Sequence, residues 1–170
     1  DPVLVTRRDM SVFNQPIQKL LTDQGYRTTV DGLLVLALAH SDNAASDILL
    51  KRVGGQKAVW RALAARRILG VRASPPEEVL ESRVAAVRWK PEYSFGQAFW
   101  TARDAVPMAR RVRALDRYLE DPADGAEPRA LADALARLQR GALLGPAMTR
   151  RFLDILRQTE TGPARLPGGL

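Results

Sequence analysis

Residues Val30–Gly55, VDGLLVLALAHSDNAASDILLKRVGG, constrain the fold of this chain more than any other stretch. Seven consecutive apolar residues, Leu33–Ala39, precede a lone His, then Ser41-Asp42-Asn43, then an amphipathic run that closes on Gly54-Gly55. A helix that is apolar around its whole circumference belongs at the centre of a domain. Polar groups at the end of such a helix are costly unless they find partners. The pattern predicts a helix over Val30–Ala39, capped by Thr28 or Thr29. It predicts a second over Asn43–Val53 with Ala45, Ile48, Leu49 and Val53 on the inner face. Asp47 stands four residues before Lys51 on another face, the spacing of a helical ion pair, and Gly54-Gly55 is a C-cap signal.

Periodicity extends the helical reading along the chain. Helices are predicted over Gln56–Ile68, with Val59, Ala62 and Leu63 inward, and over Val106–Leu119. Two more follow: Pro128–Arg140 with a Leu131, Leu135, Leu138 seam, and Pro146–Thr159 with Met148, Phe152, Ile155 and Leu156 inward. Residues 1–28 read as irregular, with one short strand candidate at Val3–Thr6. Residues 161–170 read as irregular again. Residues 71–106 read as a long loop, broken by Pro75-Pro76 and rich in aromatics over 84–106. Five of the ten aromatic residues lie there: Trp89, Tyr93, Phe95, Phe99 and Trp100. Taken alone, the 170 residues read as one all-α domain of about six helices, large enough for a sizeable core.

Composition removes several classes of chemistry. The chain has no cysteine, which excludes thiol catalysis, disulfides and cysteine metal sites. With one histidine, His40, a His-rich metal site is impossible. No cofactor or metal is expected. No apolar run reaches the roughly 18–20 residues of a membrane span. The net charge of +7 comes mostly from Arg. Arg110, Arg113 and Arg117 share a helical face, a pattern that can hold phosphates. Asp116 and Glu120 interrupt that surface and no aromatic alternates with it, so a solvated charged face is the better reading and no nucleic-acid partner is expected.

The stretch TTVDGLLVLALAHSDNAASDILLKRVGG resembles the Ser-Asp-Asn region of class A serine β-lactamases and the wider penicillin-recognising family. VTRRDMSVFNQPI resembles the segment after that family's nucleophile helix. RALADALARLQRGALLGPAMTRRFLDILRQTETGPARLPGGL resembles the two helices that lead to its catalytic strand. The resemblance implies the helical domain of the α+β β-lactamase/transpeptidase-like fold, with the sheet segments largely absent from this chain. It implies that the Ser41 hydroxyl relays a proton towards the leaving β-lactam nitrogen, a task suited to a group that both donates and accepts. Asn43 would bind the substrate's acylamido carbonyl, and Asp42 would turn inward with a structural role. N-cap chemistry is the plainer account of the same tripeptide.

The family's nucleophile motif, Ser-x-x-Lys, and its Lys-Thr-Gly motif are both absent. The chain therefore reads as a piece of a larger enzyme, inactive by itself. The family's deacylating Glu sits in E-x-x-L-N; here Glu77-x-x-Leu80 is followed by Glu81 where Asn is expected, and Pro75 replaces the usual anchoring Arg. Glu77 is thus either the general base, its pKa raised by a neighbouring Glu, or a solvated acidic helix start. Phe13 falls near the aromatic at the family's cleft rim, as a substrate-binding residue. The aromatic 84–106 segment is either a substrate wall or a packing cluster. The implied substrates are β-lactams or peptidoglycan-like molecules, met in the periplasm or outside the cell. A penicillin-binding, peptidase or esterase relative, or a non-catalytic helical interaction module, are the alternatives, and oligomeric state is left open.

Overall fold

A computed structural model describes residues 1–159 of the chain. It contains eight α-helices and a two-stranded antiparallel sheet among those residues. Strand β1 (Pro2–Val5) pairs with β2 (Tyr26–Thr29), in register Pro2 to Thr29 and Val5 to Tyr26. Strand β2 runs directly into helix α1 (Val30–Ala39), which Thr29 caps by accepting from the Gly32 N–H at 3.1 Å. Helix α2 spans Asn43–Arg52 and α3 Gln56–Ala65. Helix α4 (Glu77–Val84), a 3-10 turn (Pro91–Ser94) and α5 (Ala98–Asp104) follow. Helices α6 (Met108–Glu120), α7 (Pro128–Gln139) and α8 (Pro146–Arg157) complete the described chain.

One core forms where β1, the segment after it and the α1–α2 pair meet. Val5, Met10, Ile17, Leu33, Ala44 and Ala45 are buried there, with Leu36, Ile48 and Leu49 packed against them. Helix α8 lies along α1, and the Arg151 guanidinium donates to both oxygens of Asp31 at 2.7 and 2.6 Å. A second core gathers Val12, Ala85 and Phe99, with Val87, Trp89 and Tyr93 around them. Helix α4 packs against both α2 and α6 and so joins the two regions.

The segment between Arg72 and Asp121 leaves and returns through a pinned neck. Val71 and Ala126 form an isolated antiparallel bridge. The Arg72 N–H donates to the Gly125 carbonyl at 3.0 Å, and the Glu127 N–H to the Gly70 carbonyl at 2.7 Å. Gly70 sits at φ +77°, where a side chain is strained, and a Cβ there would stand 3.0 Å from the Ala130 Cβ, so glycine suits this crossing. The Arg72 side chain pairs with Asp121 across the neck.

Several expectations are corrected. The 71–106 stretch is not a single long loop, since it carries α4, the 3-10 turn and α5. Tyr26–Thr29, read as irregular, is the second strand, and a four-residue strand leaves too little alternation to detect. Helix α1 is not buried all round: Leu33 and Ala39 are buried, while Leu34–Leu38 are partly covered. Helix α3 ends at Ala65 and buries no residue fully, and Ala62 faces solvent. Val53, Leu131, Leu135 and Met148, all expected inward, are exposed among the described residues. Residues 161–170 lie outside the described residues.

Leu33→Ala removes a fully buried side chain from the first core. The expected cost is about 2–5 kcal/mol, read as a lower urea midpoint with an unchanged m-value.

Candidate active site

Chain direction at the end of α1 is set by hydrogen bonds. The Asp42 N–H donates to the Leu36 carbonyl at 3.0 Å, folding the chain back over the last turn of α1. Asp42 is completely buried. One carboxylate oxygen accepts from the Ala45 N–H at 2.9 Å, capping α2, and the other accepts from the Ile17 N–H at 2.6 Å. Burial pushes the Asp42 carboxyl above its usual range, and the backbone N–H groups pull against that shift. Asp42 is therefore both an N-cap and the pin that holds the Met10–Ile17 segment, a strap, against α2.

That strap also brackets the other two members of the tripeptide. The Asn43 N–H donates to the Asn14 carbonyl at 2.8 Å, and Asn43 Nδ2 donates to the Val12 carbonyl at 3.0 Å. Asn14 Nδ2 donates in return to the His40 and Ser41 carbonyls at 2.7 and 2.9 Å. Between these bonds stand two strained residues: Ser41 at φ 57° and Phe13 at φ 62°. A side-chain-bearing residue in this left-handed region costs roughly 1–2 kcal/mol, and such strain gathers at sites where surroundings over-determine the backbone. Its result here is that Ser41 faces solvent while Asp42 beside it is sealed in.

Phe13 is 38% exposed. Its ring meets Phe99 edge-on at 5.0 Å and tilts against Trp100 at 5.0 Å. Phe99 in turn stands edge-on to Tyr93 at 5.9 Å. The aromatic segment thus packs, and what it packs against is the residue beside the Ser-Asp-Asn turn. Beyond Phe13 and Phe99 opens a cavity of about 250 Å³ that also takes in Glu81, Val112 and Leu115.

Glu77 begins α4. Its N–H donates to Asp47 Oδ1 at 2.7 Å, and the Glu78 N–H reaches Asp47 Oδ2 at 3.4 Å. Asp47 Oδ2 accepts from the Ser11 hydroxyl at 2.6 Å. Asp47 is therefore no partner for Lys51 on an outer face; it is turned inward, tying α2, the strap and the start of α4 together. Burial, then the charges of Asp47, Glu81 and Asp124, raise the Glu77 carboxyl from 4.5 to about 7. Glu77 does start a helix, but it is half-buried rather than solvated. Asp47, Glu78 and Glu81 are raised too, each chiefly by burial.

Ser41, Asn43, Phe13 and Glu77 are thus all positioned by one strap, though no hydrogen bond joins Glu77 to Ser41 or Asn43. Sequence reasoning missed Asp47 and Gln15. Buried Gln15 accepts from the Ser11 N–H at 2.9 Å and donates to the Ser94 carbonyl at 2.8 Å, fixing the strap to the aromatic segment. Their partners lie 36 and 79 positions away, beyond any local pattern. Among the described residues no group of three or more His, Cys, Asp or Glu is arranged to hold a metal.

Asp42→Ala leaves the Ile17 and Ala45 N–H groups buried without partners, at an expected cost of about 2–4 kcal/mol, measurable by chemical denaturation. Glu77 supplies a pH signature. Its folded pKa of about 7 exceeds its unfolded value, so the native state holds this proton longer. Its contribution is most favourable below about pH 4.5 and is lost as pH rises through 7. After allowance for partial exposure, Glu77→Gln should raise stability at pH 8 by roughly 1–2 kcal/mol and flatten stability against pH between 4.5 and 7.

The sequence matches the family described as the β-lactamase enzyme family over residues 4–170. A search of curated proteins finds no match. Among solved structures, the chain resembles a β-lactamase from Chitinophaga pinensis with a TM-score of 0.72 at 21% identity, covering 100% of this chain and 50% of that one. A variant of the class A β-lactamase of the last common ancestor of Gram-negative bacteria gives 0.65 at 26% identity, covering 100% and 50%. L2 complexed with relebactam gives 0.66 at 27% identity, covering 100% and 49%. This chain therefore spans about half the length of the structures it resembles, and its helical architecture is that of the helical domain of the β-lactamase fold. The chain belongs to the β-lactamase enzyme family.

Proposed function

We propose that this chain is the helical domain of a serine hydrolase that opens β-lactams, or related amides and esters, through an acyl-enzyme. The observation that carries the reading is the Ser41-Asp42-Asn43 turn, which exposes one hydroxyl beside a buried, fully bonded carboxylate. The nucleophilic Ser comes from sequence outside this chain, because no Ser here has Lys three residues on. When that Ser attacks the lactam carbonyl, its hydroxyl proton passes through the Ser41 hydroxyl, which takes one proton and gives one, to the departing nitrogen as the C–N bond breaks. Asn43 spends one N–H on Val12; its second N–H and its carbonyl oxygen orient the substrate's acylamido group. Glu77 then takes a proton from water, which attacks the acyl carbonyl, and returns that proton to the Ser oxygen as the ester C–O bond breaks. A carboxyl raised to about 7 is a stronger base than an ordinary Glu and is substantially ionised at neutral pH. Phe13 forms the apolar rim. A periplasmic or secreted location goes with such substrates.

A second reading rests on Glu81. It stands where an amide is expected, and an ionised carboxylate has no N–H to donate to water or substrate, so deacylation slows and the protein holds its acyl group, as a penicillin-binding or peptidase relative would.

Intact mass of the full-length protein incubated with a penicillin separates these. The primary reading expects an adduct that forms and disappears, with hydrolysis rising with pH through about 7 as Glu77 ionises. Glu77→Gln should make the adduct persist, slowing its loss by a factor on the order of 10²–10⁴. A persistent adduct on the unaltered protein favours the second reading. No adduct at any time contradicts both.

A further inference from the structure

A cavity separate from the residues of the Ser-Asp-Asn turn opens against α4 and α6. It has a volume of about 490 Å³ and lies between α4, the residues just after it and α6. Its floor is apolar, made by Leu80, Val87 and buried Ala114. Around it stand four arginines: Arg83 and Arg88 from the α4 side, Arg110 and Arg117 from α6. Arg110 and Arg117 are seven positions apart on α6, with Ala114 between them, so helical spacing aims both across the same floor. None of the four forms an ion pair among the described residues. The acidic side chain lining the cavity, Asp121, is committed to Arg72 across the neck. The Tyr118 hydroxyl in the wall donates to Asp124 at 2.9 Å. Ser41, Asn43 and Glu77 do not line this cavity.

Four exposed arginines line one hollow, and a concave surface lined by one sign of charge concentrates counter-ions. Guanidinium groups match oxyanions through paired N–H donors. A carboxylate accepts one or two such forks; a phosphate monoester, with three terminal oxygens and up to two charges, accepts from several at once. The apolar floor demands a hydrocarbon part beside that charge, and the volume is that of a small-molecule site. The hollow is concave and Asp116 and Glu120 flank the arginines on α6, which disfavours a nucleic-acid track.

We propose that the α4–α6 cavity is a second binding site, for a phosphate monoester carried on an apolar group. That chemistry belongs equally to a soluble aryl or alkyl phosphate and to a phospholipid headgroup.

Titration calorimetry of the full-length protein with phenyl phosphate, beside sedimentation with vesicles containing phosphatidic acid, tests the proposal. The paired variant Arg110→Gln/Arg117→Gln changes exposed positions and leaves the candidate active site untouched; circular dichroism checks its fold. Binding of phenyl phosphate that weakens at least tenfold in the variant, and weakens with added salt, supports a soluble ligand. Arginine-dependent binding to vesicles without phenyl phosphate binding supports the headgroup. Binding of neither probe, or binding that the variant leaves unchanged, overturns the proposal.

Discussion

The buried carboxylate of Asp42 is the interaction on which the rest of the candidate site depends. An ionisable group with no exposure is unfavourable unless its charge is met by donors. Here the donors are backbone N–H groups of two different elements, α2 and a 3-10 turn over Pro16–Leu20. Satisfying Asp42 therefore forces the strap to lie against the end of α1. Once the strap is there, Asn43 donates to the Asn14 and Val12 carbonyls, Asn14 donates to the His40 and Ser41 carbonyls, and Phe13 and Ser41 are pressed into left-handed backbone. A cap residue on an open helix would stabilise one helix start; this one also fixes the position of a segment 25 residues earlier.

The same strap also organises charge at the start of α4. Ser11 holds Asp47 inward, and Asp47 receives the first N–H of α4. The geometry that anchors Glu77's backbone thus places a second carboxylate beside its side chain. Desolvation and that neighbour act in one direction, which is how a Glu at a helix N-terminus, normally a favourable place for negative charge, ends with a raised pKa. The cluster is destabilising as structure, and strain of this kind concentrates where chemistry is done.

Much of the helical framework was legible because it is written locally. Thr29, the apolar run and the polar stop define α1 to the residue, and Pro128 and Pro146 mark the starts of α7 and α8 as first-turn prolines do. The Ser-Asp-Asn turn was legible through its flanks. What escaped were features whose cause lies far along the chain. Asp47 carries an ordinary helical spacing to Lys51, yet its partners are Ser11 and the start of α4. Gln15 looks like a loop residue until Ser94 meets it. Burial of α1, α7 and α8 was overestimated, because apolar periodicity reports that a face seeks cover without naming the element that covers it.

Amide hydrogen exchange is the most direct test of the strap. The N–H groups of Ile17, Asn43 and Glu77 all lie at helix starts, where donors ordinarily lack partners and exchange quickly. In this account each is held by a strap-linked acceptor: Asp42, Asn14 and Asp47 respectively. The expected result is strong protection of all three, with Ile17 losing its protection in Asp42→Ala. Exchange of these amides at open-chain rates in the unaltered protein would contradict the account.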